Sequence, residues 1–122
     1  MNFVGSSPRN GATGVSQNPR IRTTFSLNVA AELAHNRTQI RLFRGTSSVG
    51  IRVTASSVFS DRRNLFITPT SNLMSDTDYR LVLLPGLRAN NGNTLGETVT
   101  IRFRTGRVRR RRPRPRPQIP QE

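Results

Sequence analysis

The sequence contains no cysteine, no tryptophan and no lysine, and only one tyrosine, one histidine and six acidic residues. Without cysteine, neither a disulfide nor a thiolate metal site can form, which leaves the redox compartment open. Without tryptophan, the core has to be built mostly from aliphatic side chains. No stretch approaches the roughly eighteen consecutive apolar residues that a membrane-spanning helix needs. Met1–Gly5 has neither the cationic start nor the apolar run of a signal peptide, so none is expected, and a virion or a cell-surface setting stays open.

The same shortages bear on chemistry. His35 is the only histidine, and no serine lies in a nucleophile-elbow context, so a catalytic set is not expected and no cofactor is called for. Asp76-Thr77-Asp78, with Asp61 as a third carboxylate, is too sparse for calcium, which takes roughly six to eight oxygens. Ser75-Asp76 reads instead as a side-chain-capped turn before a strand. Asn36-Arg37-Thr38 fits a glycosylation sequon, a pattern short enough to arise by chance.

What the chain does have is arginine. All twenty basic residues are Arg, and the net charge is +14. A guanidinium offers a planar fork that grips carboxylate or phosphate at two points, which an ammonium cannot do. A GC-rich genome would give the same bias, but the physical consequence stands either way. Thirteen arginines against five acids leave residues 1–106 at +8, and seven against one leave residues 107–122 at +6. Both parts therefore favour anionic partners.

The two parts differ in kind. Residues 107–122 read RVRRRRPRPRPQIPQE, with too few apolar groups to offset the entropy of ordering them. Arg109–Arg112 is a charge block, and Pro113–Pro117 alternates with arginine and favours polyproline II. Fully extended at about 3.1 Å per residue, the segment would reach roughly 50 Å. The near-neutral end Gln118–Glu122 offers Ile119 as an apolar anchor.

Residues 1–106 read as one domain of short strands with period-two alternation. Apolar residues alternate in Ile21–Phe25, Ile40–Phe43, Val49–Thr54, Tyr79–Leu83 and Val99–Arg104, with shorter runs at Phe3-Val4 and Leu65–Ile67. Asn90-Asn91-Gly92-Asn93 is a strong turn signal. Ala30–Ala34 is the one plausible helical piece, a single turn at most. This pattern predicts an all-β, antiparallel sandwich.

The order of several segments resembles the bacterial Ig-like domain of surface-layer and other surface proteins. The matching residues are Ser7–Val15, Ile21–Ser26, Pro69, Leu73, Thr77–Leu83, Gly86-Leu87, Asn91–Leu95 and Phe103–Gly106. The resemblance implies a sandwich of seven or eight strands and no particular activity. Leu27-Asn28 departs from the family's usual acidic position after Phe-Ser, and the Arg/Pro tail is a further departure.

In such a sandwich the strands holding Ile40–Leu42, Tyr79–Leu83 and Ile101–Phe103 should share a sheet. Arg41, Arg80, Arg102 and Arg104 would then project outward as a basic stripe, as a binding surface or as a solvated face. With Arg107, Arg109, Arg110, Arg111, Arg112, Arg114 and Arg116 of the tail, these are the candidate partner-binding residues. The function expected is a non-enzymatic structural or assembly protein: capsid decoration, or a surface-layer or filament subunit, tethered by its tail to neighbouring copies or another structural protein. The alternative is a nucleic-acid-binding protein that contacts phosphates through the same arginines, and a third possibility is their adhesion to an anionic glycan, lipopolysaccharide or acidic lipid.

Overall fold

Alternation of apolar and polar side chains gives each strand one face fit for a core, and two such faces close on each other. The computed structural model describes residues 1–56 and 58–107, without the side chain of Phe59. Nine strands occur among these residues: β1 Phe3–Ser7, β2 Ala12–Val15, β3 Ile21–Phe25, β4 Ile40–Arg44, β5 Ser47–Val49, β6 Ile51–Thr54, β7 Asn64–Pro69, β8 Asp78–Leu83 and β9 Val99–Thr105. They form a four-stranded sheet in the order β1-β3-β7-β6 and a five-stranded sheet in the order β2-β9-β8-β4-β5. Every pairing is antiparallel except that of β2 with β9, which is parallel.

The architecture is the all-β sandwich expected from the pattern, in the Ig-like form that the resemblance implies. Ile21, Phe25, Leu65 and Ile67 face inward from one sheet, and Leu42, Leu81, Leu83 and Ile101 from the other. Aromatic pairs add to the core. Phe3 meets Phe25 edge-on at 5.8 Å, and Tyr79 stacks on Phe103 at 5.7 Å with its hydroxyl accepting from the Met74 amide.

Three local features differ from expectation. First, β2 adds an edge strand inside a Pro/Gly/Asn-rich stretch whose composition does not suggest one. Its amides are satisfied from outside, by pairing with β9. Second, Val49–Thr54 is not one strand. The chain breaks at Gly50, so β5 pairs with β4 in one sheet and β6 with β7 in the other. A Cβ at Gly50 would stand 2.6 Å from the Thr70 hydroxyl, which is why the crossing point is bare. Third, the helical piece is longer than one turn. Ala30–Glu32 is 3₁₀, Leu33–Asn36 is α1 and Arg37–Gln39 is 3₁₀ again. The Asn28 side chain starts it by accepting from the amides of Ala30 and Ala31. The fully buried Asn36 then pins it: its Nδ2 donates to the carbonyls of Val29 and Arg88, and its Oδ1 accepts from the Arg88 amide.

A candidate anion-binding face

The outer face of the five-stranded sheet is set by register. On β8 and β9, Arg80 lies directly across from Arg102, and Asp78 directly across from Arg104. On the other side of β8, Arg80 faces Phe43 and Val82 faces Arg41. All four sheet arginines of the expected stripe therefore share one face. They do not act alike.

Arg104 is already spoken for. Its Nε donates to Asp76 at 3.0 Å and its Nη1 to Asp78 at 3.1 Å. The hydrogen bond to Asp76 and the two carboxylate charges hold its pKa above the ordinary arginine value. The two carboxylates weighed as cation ligands are thus engaged by a guanidinium. Arg107, largely exposed, approaches Asp76 at 4.0 Å. Arg41 folds back on the Ile40 carbonyl, one row away across from Val82.

Arg80 and Arg102 remain. Arg80 lies over the Phe43 ring at 5.0 Å and donates to the Gly45 carbonyl at 3.3 Å, so its position is fixed by stacking and by one hydrogen bond. The exposed Arg102 side chain makes no hydrogen bond or ion pair among the described residues. An opposite-charge pair and a like-charge pair thus sit in adjacent rows of the same two strands. Like charges placed directly across strands are destabilising.

Beside these arginines runs an open groove of ≈ 520 Å³, bounded by Gly11–Thr13 on one side and Gly45 on the other. Gly45 turns β4 into β5 with φ +59°, a conformation strained for any side chain. Arg80, Arg102, Arg104 and Asp78 all line the groove, whereas Arg41 does not. Arg109, Arg110, Arg111, Arg112, Arg114 and Arg116 lie outside the described residues.

A second basic face was not anticipated from the sequence. On the outer side of the four-stranded sheet, Arg22 lies across from Phe66 and Arg52 across from Thr68. Arg20 stacks on the Phe66 ring at 4.2 Å. The alternation of Arg20, Arg22 and Arg52 was visible, but only the pairing of β3, β7 and β6 brings them to one face, with Arg20 and Arg22 beside the Phe66 ring. Elsewhere, His35 Nε2 donates a hydrogen bond at 2.7 Å to the Gly86 carbonyl, a structural role. Asn36 of the sequon has its amide buried and both its hydrogens donated, so the folded domain cannot present it for glycosylation.

The profile of the bacterial Ig-like domain family matches residues 1–105. Among solved structures, domains 1–6 of the surface layer protein SbsC superpose with a TM-score of 0.60 at 16% identity, over 86% of this chain and 13% of that one. The N-terminal part of the bacterial S-layer protein SbsC gives 0.61 at 16% identity, over 86% of this chain and 23% of that one. L,D-transpeptidase 3 from Mycobacterium tuberculosis gives 0.55 at 14% identity, over 86% of this chain and 37% of that one. These chains share the fold, and this chain spans well under half the length of each. No curated protein matches the chain at a significant level.

Proposed function

This chain belongs to the bacterial Ig-like domain family, and from that premise we propose that it is a non-enzymatic structural module of a surface or particle assembly, anchored there by its arginine-rich tail. The observation that carries the reading is the family match across the whole domain, with the fold shared by surface-layer protein domains. A rigid sandwich with basic outer faces can be displayed or packed in a repeating array without performing any reaction.

In this reading Arg107, Arg109–Arg112, Arg114 and Arg116 hold an anionic partner, and the sheet arginines add contacts. Surface-layer or filament subunits and capsid decoration proteins are its two concrete forms. The transpeptidase shares the sandwich, yet the catalytic groups such an activity would require are not assembled among the described residues. The lone His35 is bonded to a backbone carbonyl. Nucleic acid is less well served, because binding single strands draws on exposed aromatic platforms. The outward-facing rings of Phe43 and Phe66 are covered by Arg80 and Arg20.

The test is deletion of residues 107–122 in the protein's own host. The truncated chain is expected to fold yet fail to stay with the cell envelope or particle during a low-salt wash. Full retention of the truncated chain would end the tether reading.

A further inference from the structure

We propose that the groove between β2 and the β4–β5 turn is a binding site for an acidic glycan, with Arg80 and Arg102 gripping its carboxylate. The inference rests on the reading of the domain as a surface module only for the choice of polymer; the anion site is argued from local geometry.

Three observations converge. The first is the placement of two arginines in one cross-strand row, both lining the groove, with no carboxylate between them, while the adjacent row is neutralised by Asp78. A solvated face needs charge, but it does not need like charges held opposite each other, and an anion between them converts that repulsion into attraction. The second is preorganisation. The Phe43 ring and the Gly45 carbonyl fix Arg80, so its fork is ordered before a ligand arrives. The third is shape. The groove volume of ≈ 520 Å³ lies within the range of about 300–1,000 Å³ typical of small-molecule sites, and its walls at Gly11, Ala12 and Gly45 are small.

The rest of the lining selects the polymer. Thr13 and Asp78 stand at the groove with oxygens suited to sugar hydroxyls. Asp78 keeps most of its side chain in solvent despite its bond to Arg104. The aromatic residues that line the groove, Tyr79 and Phe103, are buried and turn their rings to the core, so a nucleobase finds nothing to stack on. A ring rich in hydroxyls and bearing one carboxylate meets the polar groups present; a base does not.

The probe is trigalacturonate, titrated calorimetrically into the full chain at 0.15 M salt. Two variants are compared: R80Q/R102Q and the charge-matched R22Q/R52Q on the opposite sheet. The groove variant is expected to lose at least about tenfold in affinity, and the opposite-sheet variant less than about twofold. The groove variant is also expected to lose the ligand-induced rise in Tm. Equal losses in the two charge-matched variants would reduce the effect to net charge and overturn the proposal. So would failure of trigalacturonate to bind the parent, or tighter binding of an oligothymidylate of equal charge through the same two arginines. None of these results depends on retention at the envelope, so the tether and the groove stand or fall separately.

Discussion

Replacing Asn36 with alanine should cost far more than a substitution in a short helical segment usually does. Asn36 is fully buried, and its amide makes three hydrogen bonds: two donated, to Val29 and Arg88, and one accepted, from the Arg88 amide. The two bonds with Arg88 join the segment Ala30–Gln39 to the loop that holds Gly86–Arg88, and the bond to Val29 ties the segment to its own start. Each is worth about 1 kcal/mol net, so the loss sums to about 3 kcal/mol, and more if the abandoned backbone groups stay dry. For a domain near this size, about 1 kcal/mol moves Tm by roughly 4–8 °C, so the N36A chain should melt roughly 12–24 °C lower. Circular dichroism is the suitable probe, because the chain has no tryptophan to report by fluorescence. N36D should be worse than N36A, since it removes both donors and buries a charge. A drop in Tm below about 4 °C for N36A would show that water reaches the Arg88 amide and that the pin argument is wrong.

Two further outcomes test the packing and the ion pairs. L81A removes a fully buried side chain from the middle of the five-stranded sheet, between Leu42 and Ile101, and should cost roughly 2–5 kcal/mol in urea melts. R104Q should lower Tm only slightly, because its partners are exposed, and the difference should vanish near 1 M salt, where the screening length is ~3 Å. The pH sign follows from the raised pKa of Arg104. Its charge-dependent contribution is complete below the ordinary arginine value and is lost only as pH rises through the raised one, so it is steady from neutral to mildly alkaline pH.

Much of this domain was legible because its signal is local. Ile21–Phe25, Tyr79–Leu83 and Val99–Thr105 alternate cleanly, and their burial follows that alternation. What was illegible depends on partners far along the chain. β2 exists because β9 offers it hydrogen bonds, and nothing in Ala-Thr-Gly-Val announces that. The break at Gly50 interrupts neither the period nor the hydrophobicity of Val49–Thr54; it is forced by where β4 and β7 stand. The stripe was visible as outward arginines, but its division was not. Only register shows that Arg104 meets Asp78 while Arg80 meets Arg102. The cluster around Phe66 escaped for the same reason, since Arg22 and Phe66 lie far apart in sequence and opposite each other in space.

The parallel pairing of β2 with β9 also has a mechanical meaning. If β2 is drawn one way and β9 the other, each is loaded along its own length. The contacts joining them then bear the load together, side by side, and cannot be unzipped in turn. They include the Gly11 amide on the Arg102 carbonyl at 2.6 Å, the Gly106 amide on the Val15 carbonyl at 2.9 Å and the Arg102 amide on the Asn10 side chain at 2.8 Å. A tether leaving from the end of β9 would therefore pull on the domain in shear, along the direction in which this seam is hardest to open.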